Sequence, residues 1–205
     1  MLILGHTGIT LGTAMVLDAA LSKKHSKQIS PSSIQPDISS RLSRFSSLAK
    51  YIDIRILLAG SLLPDIIDKP LGRIFFRGVF ANGRIICHTL FFLIILSLAG
   101  IHLYRRRRKN WLLVLSFGTF THLIFDQMWL SPHTLFWPLY GWSFPKYANV
   151  GFACWLGGIF TALLTQPSSY IYITEAIGGV VLGFFLWHIM KEKTLLNFIV
   201  KGKVN

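Results

Sequence analysis

Gly60-Ser61-Leu62-Leu63-Pro64-Asp65-Ile66-Ile67-Asp68-Lys69-Pro70 ends an apolar segment on two carboxylates, in a chain that holds only eight Asp and Glu. Asp65 and Asp68 stand three residues apart, so a helix that continues past Pro64 carries both on one face. Ionised groups at the edge of an apolar segment are costly unless a partner offsets their charge. The expectation is a metal site, completed by residues at matching helix ends elsewhere in the chain.

That apolar segment is one of several. The 205 residues suit a single domain, 1–205. They are 52% hydrophobic and 14% charged, with a mean hydropathy of +0.53. An average soluble domain is charged at about 25% of its positions. Several runs approach the ~20 apolar residues that cross a bilayer. An all-α fold is predicted, a polytopic transmembrane helix bundle of about five spans. The net charge of +13 raises nucleic acid as a partner. The basic residues, however, fall mostly between apolar runs, where topology and anionic headgroups call for them. Membrane lipids are therefore the expected partner, and nucleic acid is not. Cys87 and Cys154 lie in apolar surroundings and give no disulfide framework. A cleavable signal is not expected, because the start of the chain lacks a basic n-region.

The first predicted span covers 2–21, with His6 near its start and Asp18 near its end. Gly8 and Gly12 give it a small-xxx-small spacing. Residues 22–50 form a polar, Ser-rich connection. Within it, Leu42, Phe45 and Leu48 recur against Arg41 and Arg44, the pattern of an amphipathic interfacial helix. A short second span, 54–67, runs into the quoted motif. The third, 88–104, is stopped by Arg105-Arg106-Arg107-Arg108-Lys109. The fourth, 111–130, carries His122 and Asp126 toward its end. Residues 131–168 read as an aromatic loop with His133, Trp137 and Trp142, then an interfacial or re-entrant segment over 150–165. The last span is 171–190, with Glu175 near its start.

Up-and-down alternation brings four ends of these spans to one membrane face. His6 and His88 open the first and third spans; Asp65, Asp68, His122 and Asp126 close the second and fourth. The opposite face takes the basic residues of 22–50 and 105–109, so the positive-inside rule assigns the cluster to the extracytoplasmic side. His122 and Asp126, four apart, are spaced to present two donors to one ion. With His6, Asp65, Asp68 and His88 they make three imidazoles and three carboxylates, a donor set suited to zinc, manganese or iron. Paired metals bridged by carboxylates suit phosphoester hydrolysis. Arg84, four residues before His88, is a candidate for binding a substrate phosphate. His133 is the acid–base candidate, on a loop able to fold over the site.

His6, Leu63-Pro64-Asp65 with Asp68, His88-Thr89, His122 with Asp126 and Trp137-Pro138 occur in the order of a known set of motifs. Over residues 5–140 the chain resembles the YdjM-type family, with Glu175 as an outlying match. The resemblance implies an inner-membrane-associated, metal-dependent hydrolase. The pattern is also similar to that of zinc-dependent phospholipase C enzymes, which implies His and Asp ligands for phosphodiester hydrolysis. Two departures stand out. The family often has Asp-x-Asp, where this chain has Asp65-Ile66-Ile67-Asp68. It also commonly has His-Arg-Gly-x-x-His, where Gly83-Arg84-Ile85-Ile86-Cys87-His88 keeps the Arg and lacks the first His. The departures leave one or two ions open, with one favoured.

The resulting expectation is a multi-pass protein of the inner (cytoplasmic) membrane with a metal-dependent hydrolase site on its extracytoplasmic side. It would be a phosphoesterase acting on a lipid or lipid-linked phosphate. Asp65, His133 and Arg84 are the catalytic candidates. His6, Asp65, Asp68, His88, His122 and Asp126 are the metal ligands. The cofactor is a divalent metal, zinc before manganese or iron. A transporter, or a metal-binding membrane protein without catalysis, is the alternative, and the oligomeric state is open.

Overall fold

Asp53 starts the helix that carries the motif. Its carboxylate accepts the backbone N–H of Arg55 at 3.0 Å, so α2 runs over Ile54–Pro70 from a capped end. Pro64 lies inside α2 and supplies no N–H to the carbonyl of Gly60, four residues back. The helix continues nonetheless and passes into a wider π-turn over Leu71–Phe75. The computed structural model describes residues 3–26, 52–146, 154, 157–158, 161, 169–191 and 195–201. The proposed amphipathic helix within 22–50 and most of 150–165 lie outside them.

Helix α1 spans Ile3–Ser26, α3 Leu90–Arg107 and α4 Trp111–Phe125. A 3-10 turn over Met128–Leu130 and the short α5, Pro132–Leu135, follow. Helix α6 covers Ser169–Lys191 and α7 covers Leu195–Lys201. No strand occurs among the described residues. Thr89 caps α3 by accepting the Phe92 N–H at 3.0 Å. The left-handed Arg108 ends α3 and turns the chain directly into α4.

Helix α2 packs most extensively on α4, α1 on α6, and α3 on α4. The closest approaches use glycine. A Cβ on Gly60 would run into the Leu115 carbonyl, and one on Gly118 would meet backbone of Leu57, Gly60 and Ser61. Gly8 and Gly178 likewise let the backbones of α1 and α6 touch. Leu11, Ile54, Phe185 and Ile189 form an apolar cluster at the end away from the motif. There Arg55 Nη1 also donates to the carbonyls of Ile199 and Val200 on α7, at 2.7 and 3.2 Å.

Polar side chains share the interior with these apolar ones. His6, Thr10, Ser61, Thr119, Thr121 and His122 are buried between helices. Large apolar side chains point outward instead: Ile94, Ile95 and Leu98 on α3, and Ile173, Val180 and Trp187 on α6. The buried hydroxyls bond across helix pairs, Thr10 to Thr121 at 2.9 Å and Ser97 to Ser116 at 2.6 Å. Small and polar residues inside with apolar residues outside is the arrangement lipid favours. Tyr170–Lys191 is long and apolar enough by itself to cross a membrane. Ile3–Leu17 and Trp111–Phe125 are apolar but shorter.

Candidate metal centre

The first turn of α1, the last turns of α2 and α4, and the residue pair before α3 meet at one end of the bundle. There the structure gathers His6, Asp65, His88, His122 and Asp126. The ligand atoms of His6, Asp65 and His122 lie within 4.8 Å of one another, and so do those of His88, His122 and Asp126. His88 Nε2 and His122 Nε2 are 3.3 Å apart. Asp65 Oδ1 is 3.6 Å from the first and 4.0 Å from the second. Asp126 approaches from the other side, 3.7 Å from His6 Nε2 and 4.0 Å from His88 Nε2. His6 stacks on His122 with ring centroids 4.1 Å apart.

The protons can be assigned from the partners. His122 Nδ1 lies 2.7 Å from the Ser61 carbonyl, which only accepts, so Nδ1 carries the hydrogen. This bond traces back to the sequence. Pro64 removes an N–H from the ladder of α2 and crowds the neighbouring carbonyls. Thr119 Oγ1 shares its hydrogen between Leu115 O at 3.1 Å and Gly60 O at 3.3 Å, and His122 takes the next carbonyl along. His88 Nδ1 sits 2.8 Å from Asp68 Oδ2 and donates to it.

Asp68 therefore stands behind the cluster rather than in it. It is fully buried, and its oxygens accept the backbone N–H groups of Ile85, Cys87 and His88 at 2.8, 3.0 and 3.1 Å. A carboxylate held this way fixes the tautomer and ring orientation of the histidine in front of it. Asp65 thus faces the imidazoles, whereas Asp68, three residues on, holds one of them from behind.

With both Nδ1 atoms committed, the two Nε2 atoms face each other as lone pairs, flanked by carboxylates. Such a cluster demands a positive charge. Burial lowers the basicity of His88, but Asp65 and Asp68 outweigh it, and its pKa lies above the ordinary imidazole value. Both nitrogens of His6 are buried without a hydrogen-bond partner. An orphaned imidazole is costly unless a cation takes its lone pair. The 3.3 Å between Nε2 atoms also matches two nitrogens each about 2.0–2.1 Å from one ion at a near-tetrahedral angle. The residues fit a divalent metal. Because His122 has only Nε2 left to offer, the two donor groups overlap on one position.

Two cations close the outer side. Lys69 Nζ is 2.6 Å from Asp65 Oδ2, and Arg84 Nη2 is 2.7 Å from Asp126 Oδ2. Burial pushes the Asp126 carboxyl up, but the neighbouring Arg84 charge prevails and holds it below the ordinary range. Lys69 escaped the sequence reading, although Asp65-x-x-x-Lys69 is the spacing of a helical ion pair. His133 is not brought to the cluster. It lies exposed on α5 with its ring 5.8 Å from that of Tyr140. It belongs to neither donor group. Glu175 is half-buried on α6 and belongs to neither donor group.

A family model described as YdjM inner membrane protein matches residues 1–194. The chain belongs to the YdjM inner membrane protein family. Neither a curated protein nor a solved structure matches it, so the wider likeness to phospholipase C enzymes has no counterpart among known relatives. The family's description as an inner membrane protein agrees with the outward-facing apolar surface of α3 and α6. Within this YdjM chain the donors come from four helix ends, and only one of their carboxylates, Asp65, lies in the opening motif.

Proposed function

We propose that this YdjM-family protein is a membrane-bound, metal-dependent hydrolase, a phosphoesterase acting on a lipid or lipid-linked phosphate. The observation that carries the reading is the pair of facing Nε2 atoms on His88 and His122, beside His6, whose nitrogens lack hydrogen bonds, and the carboxylates of Asp65 and Asp126. These five residues would hold one divalent ion, zinc being the first candidate for such nitrogen and oxygen donors. When bound, the ion supplies an activated water and a Lewis acid for the phosphoryl oxygen. Asp68 keeps His88 oriented, and Ser61 does the same for His122. Arg84, at the outer edge, is positioned to meet phosphate charge.

The bundle is read as five spans, α1, α2, α3, α4 and α6, with the donor end extracytoplasmic. Support comes from the direction of the helices: α1 and α3 begin at the donor end, α2 and α4 finish there, and Tyr170 at the start of α6 donates to the Phe125 carbonyl at 2.7 Å. Arg105–Arg107 and the following basic residues lie at the other end. The deeper hydroxyls are spent on helix–helix bonds, which favours a surface site over a transport path.

Metal analysis of natively purified protein tests the reading. Near-stoichiometric metal is expected in the parent, with a large loss in Asp65→Ala and His122→Ala. A metal-free parent ends the proposal. Bound metal with no turnover of a phospholipid and prenyl-phosphate panel would retain the site and remove the phosphoesterase.

A further inference from the structure

Lys69 and Arg84 form an outer layer over an inner layer of carboxylates. Their side chains are 33% and 40% exposed, whereas those of Asp65 and Asp126 are 16% and 6% exposed. Arg84 is set by its backbone, whose N–H bonds Asn82 Oδ1 at 2.9 Å while Asn82 Nδ2 bonds the Pro145 carbonyl at 2.9 Å. Gly83 in this turn lies close to both the π-turn and α2: a Cβ there would stand 3.0 Å from Arg73 Nε and 3.3 Å from Lys69 Cγ. One tight turn thus brings both cations to the same rim.

A divalent ion on a carboxylate offsets its charge and repels a neighbouring ammonium or guanidinium, even one bonded to the other oxygen. Metal at Asp65 and Asp126 would therefore release Lys69 and Arg84 while their stems keep them at the rim. A phosphate group satisfies both at once: guanidinium pairs with two of its oxygens and ammonium with another. Ile66, the residue after Asp65, and Ile86, two residues after Arg84, are 61% and 42% exposed, apolar surface close in sequence to both cations. We infer that Lys69 and Arg84 exchange partners, holding Asp65 and Asp126 in the metal-free site and the oxygens of a lipid-borne phosphate in the metal-bound one. The inference rests on the metal-site reading above, and it adds that metal and phosphate promote each other's binding.

Zinc binding and phosphate binding, measured on the full chain in detergent, test the exchange in Lys69→Gln, Arg84→Gln and Lys69→Arg. Each Gln variant is expected to bind zinc roughly two- to fivefold more tightly, since a competing ion pair is gone. Each should bind inorganic phosphate about tenfold more weakly when zinc-loaded, and Lys69→Arg should retain phosphate binding. Micelles containing phosphatidic acid should compete at a lower headgroup concentration than inorganic phosphate does. Parent-like phosphate affinity in both Gln variants, or zinc affinity that is unchanged or weaker, overturns the exchange and leaves the metal site standing. Equal competition by lipid and inorganic phosphate overturns the lipid source. A parent that binds no zinc overturns both readings together.

Discussion

At the scale of single residues, two buried side chains of the candidate centre have opposite surroundings. Asp68 accepts three backbone N–H groups and the His88 ring, so it is a support for a donor. Asp68→Asn keeps the shape but loses charge and one acceptor. Metal affinity should fall about 10–100-fold with the stoichiometry retained. Equilibrium dialysis distinguishes this from His122→Ala; complete loss of bound metal in Asp68→Asn would instead make Asp68 a ligand. His6 has the opposite signature, two buried nitrogens without hydrogen-bond partners. His6→Leu removes an unsatisfied group, so the metal-free variant should unfold at or above the parent's temperature. The stabilisation gained on adding metal should shrink. A large drop in metal-free stability would count against His6 as a donor held ready for an ion.

At the scale of elements, the donors meet because α2 and α4 touch through Gly60 and Gly118. Ser61 and His122 lie next to that contact, so their 2.7 Å bond depends on the close approach. Gly60→Ala or Gly118→Ala should destabilise the protein by about 1–3 kcal/mol and cost it metal binding. Gly179→Ala, where a new Cβ meets open space, should leave both unchanged. Detergent unfolding with metal analysis on the same samples checks the contrast. Parent-like metal binding in Gly118→Ala would show that the helix contact is not what positions His122. Sequence periodicity predicted these helices closely, but with ends shifted by a few residues. The fourth stops at Phe125 instead of running to 130, because the chain turns through Asp126 and the left-handed Gln127.

At the scale of the whole molecule, the distribution of charge bears on which way the bundle faces. Basic residues after α3 mark the end opposite the donors. A cysteine replacing Lys69 should therefore react with a membrane-impermeant maleimide in intact cells, and one replacing Arg107 only after permeabilisation. The reverse pattern would invert the topology. The native thiols allow the experiment once exposed Cys154 is changed to Ser. Cys87 is buried beside Asp68, and burial first, then the carboxylate, push its thiol up to about 12, so little reactive thiolate forms there.

Several features of this protein were legible in the chain alone. The helical class, the clustering of His6, Asp65, His88, His122 and Asp126, and the family likeness all follow from apolar runs and from polar residues at their ends. Periodicity and alternation suffice for these, because lipid and backbone hydrogen bonding leave few arrangements for such runs. Tertiary structure decided the placements. Asp65 and Asp68 are equivalent in sequence, yet one faces the imidazoles and the other is enclosed by the 85–88 backbone. Arg84 and Lys69 became partners of particular carboxylates, while His133 turned outward. A side chain's role depends on which backbone donors and charges reach it across helices. Spacing along one strand of sequence does not specify those contacts.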